Sequence, residues 1–283
     1  MRVLVTGAGG QLGHELEQVF GDHDVVAAPH AQLDVADREA VVTAIASIQP
    51  DVILHAAAWT AVDACEGDPD RAFAVNALGT RHVAEAAQRV AARLCYFSTD
   101  YVFDGTKGEP YTEWDDTNPL SVYGQSKLAG ERELAGHDDA LVIRLSWVCG
   151  RKGRNMVKTI LHQAGEHEQL QFVDDQRGHP TFADDAAAMV RRLVAERRTG
   201  LFHVTNQGEV SWYEFARAVL ESAGLDPDRV EPITTADLEP ARPAPRPANS
   251  VLDNAALRLA GLPPLPHYRE SLDRLVAELV AEP

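Results

Sequence analysis

Arg2-Val-Leu-Val-Thr6-Gly7-Ala-Gly-Gly10-Gln-Leu-Gly13 stands at the start of the chain, and its reading decides the fold. An apolar run with no polar alternation predicts a parallel strand buried on both faces. The glycines Gly7, Gly10 and Gly13 then recur at every third position. Without Cβ atoms the backbone can turn tightly and approach a pyrophosphate, whose charge faces the N-terminus of the following helix. Leu12, Leu16 and Phe20 have the spacing of that helix. A glycine-rich turn in isolation is often only a turn. Directly after the first strand of an alternating pattern it points to a dinucleotide, contacted by Gly7, Gly10, Gln11, Leu12 and Gly13.

Working outward, strands are predicted at Asp24–Ala28, Asp51–His55, Leu94–Ser98 and Leu141–Ser146. Helices are predicted from a cap at Asp37 to about Ile48, over Asp70–Val90 and over Ser121–Leu134. Such alternation implies an α/β fold: a Rossmann-type doubly wound parallel sheet with a smaller C-terminal α/β substrate lobe. The expected division is a dinucleotide-binding domain over 1–150 and a mainly substrate-binding lobe over 151–283. A helix near Ala183–Arg197 is expected to pack back onto the first domain. Further helices fit Asn155–Gly165, Trp212–Ala223, Asn254–Ala260 and Tyr268–Ala281, with short strands near Phe172 and Phe202. Pro227–Pro247 holds six prolines and reads as loop.

The bulk numbers narrow the function. The chain has 283 residues, 45% of them hydrophobic, so a substantial core is expected. A net charge of −17 argues against nucleic acid or an anionic membrane as partner. An anionic ligand in a local basic pocket is still allowed. Cys65, Cys95 and Cys149 are too few and scattered for a disulfide framework, and buried free thiols are expected. The 11 histidines show no zinc-site spacing. With no apolar run of membrane-spanning length and no leader before the first strand, a cytoplasmic protein is expected.

The chemistry is sought at Tyr123-Gly-Gln-Ser-Lys127. On a helix, residues four apart share a face, and an ammonium beside a phenol is expected to lower the tyrosine pKa. Such a tyrosine can exchange a proton with a carbonyl or alcohol oxygen. Most Tyr-x-x-x-Lys pairs are plain helix surface. This one accompanies the glycine turn and Ser98-Thr99-Asp100 at a strand end, and the three together indicate an oxidoreductase. At the end of the second strand, Ala28-Pro29-His30 offers neither the carboxylate typical of an NAD site nor an arginine for a ribose phosphate. NADPH and NADH both stay open there, with NADPH favoured. His30, Asp34 and Val35 are candidate cofactor contacts, Asp34 being equally readable as a helix cap. Small residues after the third strand, Ala56-Ala57-Ala58, would let a cofactor pass, with Trp59 and Thr60 behind them. Asn76 could reach the lysine through water or lie on the surface. Asp63, Glu66, Asp68 and Asp70 read as a solvated acidic surface rather than a metal cage.

At these motifs the chain resembles the dTDP-4-dehydrorhamnose reductases, within the extended short-chain dehydrogenase/reductase superfamily, essentially end to end. The residues that carry the resemblance are Gly7-x-x-Gly10-Gln-Leu-Gly13, His55-Ala-Ala-Ala-Trp-Thr-Ala-Val-Asp63 and Ser98-Thr-Asp-Tyr-Val-Phe-Asp-Gly105. Pro119-Leu-Ser-Val-Tyr-Gly-Gln-Ser-Lys-Leu-Ala-Gly-Glu131, Arg144-Leu-Ser-Trp-Val148, Asp175-Gln-Arg-Gly-His-Pro-Thr181 and Arg246-Pro-Ala-Asn-Ser-Val-Leu252 complete the set. The resemblance implies Thr99, Tyr123 and Lys127 as the catalytic triad. It implies Asp100, Tyr101 and Trp147 near a deoxyhexose, and a nucleotide-sugar substrate reduced at its C4 ketone. Arg246 is the candidate for the diphosphate, the alternative being a salt bridge to an acidic neighbour. Some family members hold magnesium through a carboxylate of the first helix, where Glu15 stands; no metal ligand set is assigned here. A sister reductase of a related keto-sugar and a non-catalytic NADP-binding regulatory subunit are the competing readings. Monomer and homodimer are both compatible with the sequence.

Overall fold

The computed structural model describes residues 1–281. β1 (Arg2–Thr6), β2 (Asp24–Ala28), β3 (Val52–His55), β4 (Arg93–Thr99) and β5 (Leu141–Leu145) form one sheet, with Gly200–His203 as a sixth strand. All pairings in it are parallel. Across the sheet β1 lies between β2 and β3, and β4, β5 and Gly200–His203 follow beyond β3. The chain therefore reverses its direction of travel at the β1/β3 boundary. In open α/β sheets ligands bind at the carboxyl ends of the strands beside such a reversal.

The helices that cover the first half are α1 (Gln11–Val19), α2 (Arg38–Ile48), α3 (Val62–Gly67), α4 (Pro69–Phe73), α5 (Gly79–Arg89) and α6 (Val122–Arg132). Side chains of β1 alternate between two cores, which is why the run is apolar throughout. Val3 and Val5 pack with Leu12 and Leu16 of α1, and with Ala186, Val190 and Leu193 of the helix Ala183–Ala195. Leu4 faces Val41 and Ile45 of α2 and Val83 and Ala87 of α5. Asp37 caps α2 by accepting from the Ala40 amide at 3.0 Å, as its sequence position predicts. A third core, with Val157, Ile160, Phe215, Leu220 and Leu272, belongs to the second lobe.

Three expectations change. The strand at Phe202, read with the second lobe, is bonded to β5 and extends the first sheet. The helix expected over Asp70–Val90 is interrupted by a π-helical turn at Ala74–Leu78. The proline-rich stretch contains a strand, Val230–Ile233, paired with Leu170–Val173. Pro232 is tolerated there because a two-stranded ribbon has only edges. The three cysteines are free and buried. No helix among the described residues is long and apolar enough to cross a membrane.

Candidate active site

At the carboxyl end of β1, Gly7 adopts φ +68° and its amide donates to Ala28 O at 2.9 Å. A Cβ on Gly7 would stand 2.6 Å from the Ala57 amide nitrogen. Only glycine fits this turn, which lies in backbone contact with the ends of both neighbouring strands. The turn opens into a cleft of about 840 Å³. Gly7, Gly10, Gln11, Leu12 and Gly13 line it, as do Ala57, Ala58 and Thr60, with His30 and Val35 beyond β2. Gln11 also ties the cleft to the second lobe, its Oε1 accepting from the Gly150 amide at 2.9 Å and from Asn155 Nδ2 at 3.1 Å.

Two of the predicted cofactor contacts stand outside this lining. Asp34 turns its carboxylate onto the Ala36 amide at 3.0 Å. Trp59 lies under the Arg71 guanidinium, 4.4 Å from its ring centroid. The Trp59 backbone is gripped by Asn76, which accepts from its amide at 2.8 Å and donates to its carbonyl at 3.1 Å. Asn76 also donates to Ser126 Oγ at 2.9 Å. It is fully buried in the π-helical turn, so the surface reading does not describe it. It ties the loop after β3 to the helix that carries Tyr123 and Lys127.

Thr99 from β4 and Tyr123 and Lys127 from α6 face the same cleft. Ser121 caps α6, accepting from the Gly124 amide at 3.1 Å, and so fixes where the helix presents Tyr123. The expected lowering of the tyrosine pKa does not occur. Burial pushes the phenol up, Thr99 pulls it down, and the nearby Asp100 pushes it up again. The Lys127 ammonium sits 4.1 Å above the Tyr96 ring centroid, a cation–π contact. Burial drops Lys127 to about 7, against an opposing pull from Glu131. A spacing of four gives a shared face but says nothing of desolvation, which here outweighs the pairing.

Asp100 is fully buried and accepts from Thr99 Oγ1 at 3.0 Å and Ser146 Oγ at 3.1 Å. Burial raises its pKa to about 6 against these bonds. Tyr101 packs edge-on against Tyr123, 5.7 Å between ring centroids. Trp147 lines the cleft and stacks on Trp212 at 3.5 Å. Trp212 went unassigned in the sequence because its meaning depends on Trp147, 65 positions earlier. In the sequence Ser98 stands out only as part of the Ser98-Thr99-Asp100 motif. Its buried Oγ has no hydrogen-bond partner among the described residues. An orphan hydroxyl in the cleft and a glycine cradle against Ala57 together fit a bound dinucleotide.

Arg246 stands outside the lining. Its Nη2 and Nη1 reach the two Asp63 oxygens at 2.8 and 3.0 Å, and Nη1 also donates to Ala244 O. The acidic cluster is thus not merely solvated: Asp63 pairs Arg246, Glu66 accepts from the Val122 amide at 2.8 Å, and Asp68 caps α4. Arg246 and Arg242 are near enough to Tyr101 to pull against the burial that raises its phenol to about 12.

Glu15 lies apart, in a pocket of about 280 Å³ with Asp184, Glu278 and Arg274. Arg274 Nη2 holds Asp184 at 2.7 Å and Asp185 at 2.9 Å. That guanidinium occupies oxygens of Asp184 and Asp185, which reduces what the pocket could offer a hard cation. Among the described residues no group of three or more His, Cys, Asp or Glu could hold a metal ion.

A parallel sheet with a glycine cradle at its reversal point, and a Thr, Tyr and Lys set on the adjoining wall, defines a dinucleotide-dependent oxidoreductase of the short-chain type. The chain belongs to the RmlD substrate binding domain family, which matches residues 1–281. It is 42% identical over 285 residues to the dTDP-4-dehydrorhamnose reductase of Mycobacterium tuberculosis, covering 98% of this chain and 92% of that one. It is 40% identical over 280 residues to a spore coat polysaccharide biosynthesis protein of Bacillus subtilis, covering 98% and 97%. The crystal structure of the Bacillus anthracis dTDP-4-dehydrorhamnose reductase with NADP superposes with a TM-score of 0.94 at 38% identity, covering 98% and 99%.

Proposed function

We infer that the protein is an NADPH-dependent reductase that converts dTDP-4-dehydro-6-deoxy-L-mannose to dTDP-L-rhamnose. The observation that carries this is the convergence of Thr99, Tyr123 and Lys127 on the cleft that the glycine cradle opens. The dinucleotide supplies the hydride; the chain supplies positioning and a proton. Tyr123 protonates the oxygen that develops at C4. Its raised pKa keeps it in the acid form this direction needs. Thr99, whose hydrogen is committed to Asp100, accepts from the Tyr123 hydroxyl and so orients the phenol beside the ketone. Lys127 holds the nicotinamide ribose. Asp100 acts behind Thr99 rather than on the sugar, while Tyr101 and Trp147 face the hexose. Arg246, with Arg242 beside it, supplies positive charge for the diphosphate. A bare second-strand end at Ala28-Pro29-His30 admits NADPH, with NADH as a poorer substitute.

The reaction is placed in the cytoplasm, in keeping with three free thiols, and the enzyme acts as a monomer or homodimer. Oxidation of NADPH on addition of the dTDP-4-keto sugar, with the product identified by NMR, tests the assignment. Turnover of other dTDP-4-keto-deoxyhexoses but not this one would move the protein to a sister reductase. Dinucleotide binding without turnover of any would make it a regulatory subunit.

A further inference from the structure

Trp147 follows β5 with φ +45°. A bulky side chain rarely adopts this left-handed region, and such outliers persist only where the surroundings over-determine them. Two neighbours do so here. The indole lies on that of Trp212 with 3.5 Å between ring centroids and 8° between planes. Gly178 makes room for it: a Cβ there would stand 2.6 Å from Cε2 and 2.8 Å from Nε1 of Trp147.

Gly178 and Trp212 belong to one small unit. Arg177–Gly178 pairs antiparallel with Val210–Ser211, and Ser211 starts the helix Trp212–Ser222. That start is fixed by a reciprocal capping box between Ser211 and Glu214. Arg177 reaches Glu214 at 3.2 Å and Glu209 at 3.5 Å across the same unit. Both indoles remain partly exposed and both line the catalytic cleft. A stack serving only the core would be covered.

We propose that Gly178 and Trp212 are specificity-determining positioning residues, which set the Trp147 indole as a wall against the apolar face of a hexose. Trp147 touches the sugar; the other two act through it. A 6-deoxyhexose suits such a wall, since its C–H groups and methyl can pack on an indole that its 4-keto oxygen need not approach. The proposal rests on the nucleotide-sugar reading above. That reading is tested in the wild type alone, by turnover of dTDP-4-keto-6-deoxyhexoses, so its failure is seen before any variant is made.

The test uses Trp212→Leu, Trp212→Phe and Gly178→Ala. Stacked indoles give an exciton couplet in far-ultraviolet circular dichroism, which reports the clamp directly. Trp212→Leu should lose the couplet and raise KM for the nucleotide sugar about two- to tenfold, the worth of an aromatic pair. NADPH Kd should hold, and kcat should change by less than about threefold. Gly178→Ala should weaken the couplet and raise KM in the same way, and Trp212→Phe, which keeps an aromatic face, should restore most of the KM. An unchanged KM with the couplet gone would overturn the proposal. So would a joint rise in KM and NADPH Kd with a lowered Tm, which would mean general loosening. If Trp212→Leu does not fold, Gly178→Ala and Trp212→Phe carry the same comparison.

Discussion

The two ends of the cleft are made of different material. At the cofactor end the surface is largely backbone, shaped by Gly7 and the alanines after β3. At the other end, where Trp147 lines it, the surface is side chain held by another from far along the sequence, Trp212; Arg246, outside the lining, is held in the same way by Asp63. A backbone site is written locally, in which residues lack a Cβ. A side-chain site is written in pairs, and each pair exists only once the chain has folded. Substitutions at the first end should therefore act sharply and one at a time. At the second end they should act moderately and through partners.

The largest effect belongs to the seam between the ends. Tyr123→Phe removes the proposed proton donor but keeps the ring that packs on Tyr101. Turnover should fall about 10²–10⁴-fold, the usual worth of general acid catalysis, while NADPH Kd stays near wild type. Steady-state kinetics with a cofactor titration checks both, and a kcat above half of wild type would remove Tyr123 from the chemistry. Next comes the backbone end. Gly7→Ala places a Cβ 2.6 Å from the Ala57 amide in a left-handed turn. Strain of roughly 1–3 kcal/mol should weaken NADPH binding about ten- to hundredfold. The KM for the nucleotide sugar should move far less. Equal losses on both ligands would erase the distinction between the ends.

What was legible in the sequence follows the same division. The glycine turn, the cap at Asp37 and the residues Thr99, Tyr123 and Lys127 are local signals, and each stands in the cleft or at the helix start where it was expected. Asn76 was ambiguous because helix propensity cannot reveal a π-helical turn or a partner on another helix. Asp63 was read as solvated because its guanidinium lies 183 positions on. The strand at Gly200–His203 was assigned to the wrong lobe, since four residues carry no mark of which sheet they join. The tyrosine pKa was misjudged because spacing specifies proximity and burial specifies dielectric.

Arg246 is the sharper test of a paired site. Its side chain is about nine-tenths buried, at 9% exposure, and its guanidinium is committed to Asp63. If it serves the diphosphate, Arg246→Ala should raise KM for the nucleotide sugar about tenfold without changing NADPH Kd. Asp63→Asn separates the roles: it frees the guanidinium but removes its brace. A fall or no change in KM for Asp63→Asn, beside a rise for Arg246→Ala, would place the charge itself in binding. Equal rises in both would leave only a brace between α3 and the late proline-rich segment.

The smallest expected effect tests whether burial, rather than pairing, governs Lys127. The folded-state pKa is lowered to about 7 from its usual 10.5. Between those values the unfolded chain binds a proton that the folded one does not, so this group makes stability rise with pH across that window. Below about pH 7 the folded protein carries a buried ammonium and bears its full desolvation cost. Lys127→Met keeps the length of the stem and removes the charge. In the absence of cofactor the variant should therefore melt a few degrees above wild type at about pH 6, with the gap closing towards about pH 10. Loss of the contact with Tyr96 works in the opposite direction and limits the gain. The same variant should bind NADPH more weakly if Lys127 holds the ribose as proposed. A lower Tm at every pH would mean that the ammonium is held by attraction to its neighbours.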